Sequence, residues 1–143
     1  MKLSTKGKYS MYAMVYLAAH AGEGPQPLRE IQGSGVTEDY LEQLLGTLRR
    51  GGLVETVRGT NGGYMLSRKP DEITVGDIIR TAEGPVTFAQ CVGDENLCPS
   101  AALCPTLPVW RYLTEQIDMV LDTVTLKDVL EERKFQRPER KMD

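Results

Sequence analysis

A chain of 143 residues with one histidine, one tryptophan, two phenylalanines and three cysteines is poor in the side chains that most chemistry uses. One imidazole excludes His-rich metal sites and catalysis by a histidine pair. An odd number of thiols argues against the disulfide framework of a small secreted domain. No apolar run reaches the roughly 18–20 residues that cross a bilayer, so no membrane partner is expected. No nucleophile–base pair or phosphate loop stands out, so the chain is not expected to be an enzyme. What remains is 41% hydrophobic and 26% charged. That composition suits one globular domain, or a small domain with a helical arm, able to bury a core without staples.

The net charge of −3 conceals an asymmetry: residues 1–70 sum to +3 and residues 71–143 to −6. Only the first half is suited to a polyanion, and nucleic acid is the first candidate. The first 21 residues also trace the outline of a secretory signal: a basic start, an apolar stretch from Met11 to Ala19, and Ala-His-Ala. Tyr9, Tyr12 and Tyr16 interrupt that stretch, and the cysteine count fits export poorly.

Hydrophobic periodicity divides the chain into units. Residues 8–21 read as a helix that is apolar almost all round and so covered on several sides. Gly22, Gly24, Pro25 and Pro27 break it, a short helix follows over 28–32, and Gly33-Ser34-Gly35 turns the chain. Thr37 is a good N-cap for a helix with a stripe of Tyr40, Leu41, Leu44, Leu45 and Leu48, ended by Gly51-Gly52. The period then switches to two over 53–58 and 63–67, with a Gly-Thr-Asn-Gly tip between, which predicts a hairpin. Helix, short helix, turn, longer helix and hairpin is the order of a winged helix-turn-helix. Past Pro70, Thr74 and Asp77 form a capping box for a helix stopped by Gly84-Pro85. Residues 88–105 read as a loop, a long helix starts near Leu107, and Thr125 and Asp128 cap a last one. The expected organisation is therefore a winged helix-turn-helix domain over 1–70, then linker helix, cysteine loop and dimerisation helix over 71–133, and a mobile charged tail over 134–143. The fold class is mainly α with a small β-hairpin wing.

Three constellations carry chemistry. A helix entering the major groove shows its early residues to base edges, here Thr37, Glu38, Asp39, Glu42 and Gln43. Gln43 is suited to adenine and Glu42 to the cytosine amino group, each good pair discriminating by about 1–3 kcal/mol. Lys6, Lys8, Arg49 and Arg50 suit phosphates, and Arg58 on the wing suits phosphate or the minor groove. The alternatives are the ordinary polar face that every amphipathic helix has, and a protein rather than DNA partner, since winged helices also mediate protein contacts. Second, the stripe Trp110, Leu113, Ile117, Val120, Leu121 and Val124 must be buried, in a homodimer or against its own domain. A two-fold dimer would set its reading helices about 34–36 Å apart, matching a pseudo-palindromic operator in double-stranded DNA. Third, Cys91-x6-Cys98-x5-Cys104 lies in a segment without core period. An iron–sulfur cluster, zinc, a labile disulfide and inert thiols all remain open from that spacing.

The runs Met1–Tyr9, Tyr40-Leu-Glu-Gln-Leu44, Leu48-Arg-Arg-Gly-Gly-Leu53, Val57-Arg-Gly-Thr-Asn-Gly-Gly-Tyr64, Val75-Gly-Asp-Ile-Ile79 and Thr125-Leu-Lys-Asp-Val129 resemble one bacterial family. It is the family of winged-helix transcription regulators that includes the iron–sulfur regulator IscR, the nitric-oxide sensor NsrR and the cysteine-metabolism repressor CymR. The resemblance runs from Met1 to about residue 130 and removes the secretory reading. It implies a cytoplasmic, homodimeric repressor or activator, with DNA contacts at Glu42, Gln43 and Arg58 and a dimer helix over 110–124. The candidate DNA-binding set is Lys6, Lys8, Thr37, Tyr40, Glu42, Gln43, Arg49, Arg50, Arg58, Thr60 and Asn61. The resemblance also favours an iron–sulfur cluster, two-iron two-sulfur first, on Cys91, Cys98 and Cys104. Two departures stand out: six residues rather than five separate the first two cysteines, and Leu107 occupies the position of the IscR-like histidine ligand. Lys8 stands where NsrR-like members supply a carboxylate, which leaves Asp94, Glu95, solvent, a small thiol or His20 as candidates for a fourth ligand. A CymR-like cluster-free repressor of sulfur metabolism, controlled by a partner enzyme, is the alternative within regulation. A small iron–sulfur carrier or redox protein is the alternative outside it.

Overall fold

Thr5–Ala19 form helix α1 in the computed structural model, which describes residues 3–31, 35–89, 92 and 104–132. The expected Gly33-Ser34 turn, most of the cysteine loop and the charged tail lie outside the described residues. Ala13, Met14, Leu17 and Ala18 are the buried side chains that α1 gives to the core.

α2 is one turn, Leu28–Ile31, and α3 spans Glu38–Arg50. Thr37 caps α3 as expected, its hydroxyl accepting from the Tyr40 N–H at 3.2 Å. Leu41, Leu44, Leu45 and Leu48 are buried on the inner side. Gly51 closes the helix and Gly52, at φ 79°, turns the chain into the wing. Strands β1 (Val54–Val57) and β2 (Gly63–Leu66) pair antiparallel, Val54 facing Leu66 and Val57 facing Gly63. A further bridge joins Gln26 to Tyr64 through hydrogen bonds of 2.8 and 2.9 Å, so the wing is anchored to the segment before α2. Gly63 permits that approach, because a Cβ there would overlap the Gln26 carbonyl.

Pro70–Glu72 make a short 3₁₀ turn before α4 (Val75–Glu83). The long α5 spans Leu107–Thr123, and α6 spans Leu126–Glu131. The Thr74–Asp77 and Thr125–Asp128 capping boxes both form. They lie side by side, joined by Val75 N–H to Val124 O (2.8 Å) and Leu126 N–H to Ile73 O (2.9 Å). The core therefore runs across Pro70: Ile73, Ile78 and Leu126 belong to one apolar cluster with Leu17, Leu45 and Leu48. α1 is the hub of this arrangement. α4 packs on it most extensively, and α2, α3, β2 and α6 cover its other sides. This is why the apolar residues of α1 are not confined to one stripe.

One element starts elsewhere than its own residues suggest. The sequence places the start of α1 at Lys8, and the helix begins at Thr5. The extra turn is held from outside: the Glu83 carboxylate, at the end of α4, accepts from the N–H groups of Ser4 (2.7 Å) and Gly7 (3.2 Å). A donor–acceptor pair so distant in sequence leaves no local signal.

Candidate nucleic-acid interface

The outward side of α3 carries the residues that local sequence assigned to base reading. Glu38, Asp39, Glu42 and Gln43 are exposed, as are Arg49 and Arg50 in the last turn. Tyr40 is half-buried and meets Tyr9 edge-on, centroids 6.3 Å apart at 88°, which fixes the first turn of α3 on α1. Along one flank of α3 runs a cleft of about 710 Å³, with Lys6, Tyr40, Gln43, Thr47 and Arg50 among its walls. The wing approaches the same helix, where Tyr64 of β2 feels both Glu42 and Arg49. Burial, then the Glu42 charge, pushes the Tyr64 phenol above its ordinary value. Arg58, Thr60 and Asn61 are exposed at the wing tip. Gly59, at φ 115°, allows the tip to close with a bond from Gly62 N–H to its carbonyl (3.0 Å).

Three residues of this region had no part in the expectation. Thr47 donates to the Gln43 carbonyl and accepts from Arg50 Nη2, each at 3.2 Å, turning Arg50 back along the helix. The threonine–arginine spacing of three was its only signal. Ser10, also lining the cleft, is 1% exposed and its hydroxyl has no hydrogen-bond partner among the described residues. Glu83 and Ser4 line an adjoining cavity of about 580 Å³, which shares Lys6, Tyr40 and Ala82 with the cleft.

Of the three cysteines, Cys104 is described, and Cys91 and Cys98 lie outside the described residues. Cys104 is half-buried just before α5, its Sγ 3.1 Å from the Thr106 hydroxyl. That contact, then the backbone N–H groups of Thr106 and Leu107, draws the thiol below its ordinary value, so the thiolate that binds metals is favoured. Leu107 is 4% exposed, packed inward in the first turn of α5. Among the described residues no group of three or more His, Cys, Asp or Glu is placed to hold a metal ion. His20 is committed to α1, its Nδ1 at 2.8 Å from the Tyr16 carbonyl and its ring stacked on Tyr16.

The stripe read along the long helix divides between two sides. Trp110 stacks on Phe88, centroids 5.4 Å apart, and α5 packs on α4, so Trp110, Leu113, Ile117, Leu121 and Val124 are partly covered within the chain. Of the expected dimer residues only Val120 is largely open, at 61% exposure. Val109 (49%), Tyr112 (60%) and Met119 (61%) share the open side and were not in the expected set. A helix with apolar residues on two sides gives one blurred stripe in sequence, and tertiary contacts separate them.

Comparison with known proteins agrees with this architecture. The Rrf2 family model, described as "Iron-dependent Transcriptional regulator", matches residues 3–132. The chain is 42% identical over 138 residues to the HTH-type transcriptional regulator IscR of Aliivibrio salmonicida, spanning 96% of this chain and 82% of that one. It is 42% identical over 130 residues to CymR of Bacillus subtilis, spanning 90% and 89%. The solved structure of CymR, the global cysteine regulator of B. subtilis, superposes with a TM-score of 0.76 at 40% identity, covering 94% of this chain and 99% of that one. That of T. potens IscR gives 0.74 at 42% identity, covering 100% and 93%. These relatives are regulators rather than enzymes, and the winged-helix fold expected from the element order is theirs. The chain belongs to the Rrf2 family and is a transcriptional regulator.

Proposed function

We propose that the protein is a homodimeric, sequence-specific DNA-binding regulator whose grip on a pseudo-palindromic operator responds to an iron–sulfur cluster held by Cys91, Cys98 and Cys104. The observation that carries the DNA reading is the flank arrangement of α3. Glu42 and Gln43 line one cleft with Lys6 and Arg50, and Glu42 also lies near Tyr64 of the wing that carries the exposed Arg58. Base edges are read by the first pair, and phosphates position the rest. Dimerisation is assigned to α5, whose open apolar side needs cover.

For the cofactor, the supporting observation is the placement of Cys104, a half-buried thiol immediately before the first turn of the same helix. When bound, the cluster supplies a centre sensitive to oxidants and nitric oxide. Cys104 then ties cofactor status to the first turn of α5, and a coupling of about 1–3 kcal/mol gives a switch of roughly 5–150-fold in DNA affinity. Anaerobic purification with an absorption spectrum and iron and sulfide counts tests this. Visible absorption that disappears in Cys98→Ala supports the cluster, and colourless protein holding zinc replaces it with a zinc site.

A second reading is favoured by Leu107, an inward-packed side chain that cannot ligate. In that reading the protein is a cluster-free regulator of cysteine metabolism like CymR, controlled by a partner enzyme. Metal-free protein from iron-replete cells selects it. A carrier or electron-transfer role is set aside, because the chain belongs to a family of transcriptional regulators.

A further inference from the structure

α4 is fastened to three neighbours at once. At its start, a Cβ on Gly76 would lie 2.8 Å from Asp122 Oδ1 and 3.1 Å from the Leu121 carbonyl, so α5 comes close to the α4 backbone here. One turn on, Arg80 bonds Asp118 (3.1 Å) and Asp122 (2.5 Å) of α5. Near its end, the Thr81 methyl packs against Gly51, where a Cβ would overlap it. Glu83, the last residue, reaches Ser4 and Gly7 at the start of α1. Gly7 is again the residue that permits the approach, since a Cβ there would lie 2.8 Å from Glu83 Oε1.

The charge pattern makes Glu83 stand out. A carboxylate at the C-terminal end of α4 faces the negative pole of its own helix, where a cation would be favoured. The first turn of α1 has the opposite deficiency. It contains no acidic residue, Ser4 makes no side-chain cap bond, and Lys6 sits at the positive pole. Left to its own residues this turn would fray. Glu83 supplies both the missing acceptor and the missing negative charge.

We propose that Glu83 is a positioning residue for DNA binding: it folds the first turn of α1 and so holds Lys6 in the groove beside Tyr40, where a backbone phosphate passes. This rests on the DNA-binding reading of α3. Lys6 lines both the cleft that holds Gln43 and the adjoining cavity that holds Glu83, so its place depends on the turn that Glu83 completes. Arg80 anchors the same short helix to α5, so a shift of α5 reaches Lys6 through one rigid element.

The test uses the full chain and a duplex that the wild type selects from a randomised pool. Lys6→Ala and Glu83→Ala each lower affinity on the order of tenfold, and each makes the salt dependence shallower by about one unit of slope, as expected when a single phosphate is no longer neutralised. The double variant is no weaker than either single one, because Glu83 acts through Lys6. Glu83→Gln, which keeps the acceptor oxygen, recovers part of the affinity. Amide exchange in Glu83→Ala quickens over the first turn of α1 and stays as in the wild type across α3.

Equal, additive losses would overturn the proposal, as would a gain in affinity at unchanged slope, which marks Glu83 as merely repelling phosphate. Unchanged exchange at Gly7 and Lys8 would overturn it independently of any DNA. If the wild type selects no duplex, the DNA-binding reading itself fails, and the positioning role fails with it.

Discussion

Ser10 sits in the middle of α1, 1% exposed beside the cleft along α3, with a hydroxyl that none of the described residues pairs. A buried hydroxyl without a partner costs about 1–3 kcal/mol, and serine is also a poorer helix residue than alanine. Ser10→Ala is therefore expected to stabilise the protein by about 1 kcal/mol, read as a higher midpoint in urea at unchanged slope. A lower midpoint would mean that the hydroxyl is satisfied in solution. Tyr64 offers a second test at this scale. Burial and Glu42 raise its folded pKa above the ordinary tyrosine value, so the neutral phenol is favoured by folding. Its contribution is complete below about pH 10, the unfolded value, and is lost as pH rises from there through the raised folded value. Tyr64→Phe should lose less stability than the wild type between neutral pH and that alkaline range, and parallel curves would refute the assignment. Tyr16, raised by burial and then by Glu30 and Glu23, adds to the alkaline loss in both proteins.

Among the elements, the wing depends on Gly63. With any Cβ there, β2 must move off Gln26 or the bridge to Tyr64 must open. Gly63→Ala is expected to lower stability by about 1–3 kcal/mol and to weaken DNA binding through a misplaced Arg58. A variant with wild-type stability and affinity would show that the wing tolerates the displacement. The same elements show what was legible in the sequence. Thr37, the Thr74–Asp77 and Thr125–Asp128 boxes, and Gly51-Gly52 announce their helices because caps are local chemistry, written within four residues. The hairpin announces itself by period and turn residues. The start of α1 does not, because its acceptor arrives from Glu83 at the far end of α4. The two sides of α5 do not, because Trp110 and Tyr112 are equally apolar in sequence and only Phe88 and α4 decide which is covered. In the candidate reading face, the exposure of side chains on a patterned helix was legible. Ser10, Thr47 and Glu83 were not, since their roles come from what folding brings beside them.

At the scale of the whole molecule, the proposed dimer makes the open side of α5 decide whether one reading head or two meet the DNA. Val109, Tyr112, Met119 and Val120 follow one another at spacings of three, seven and one and are 49–61% exposed, which keeps them on one side of the helix. A charge placed among them would have to be buried in a symmetric interface, facing its own copy across the two-fold axis. Val120→Asp and Tyr112→Asp are therefore expected to give folded monomers by analytical ultracentrifugation, with unchanged helical content. Their affinity for a full operator should fall roughly 100-fold or more, because the second head no longer binds at the effective concentration set by the first. For an isolated half-site the variants should match the wild-type head, since α3 and the wing are untouched. A dimer that survives both substitutions would move the interface to the side carrying Trp110 and Ile117. α5 would then have to give up its packing on α4 and Phe88 to form it, and the Arg80 bonds to Asp118 and Asp122 would be the first to break.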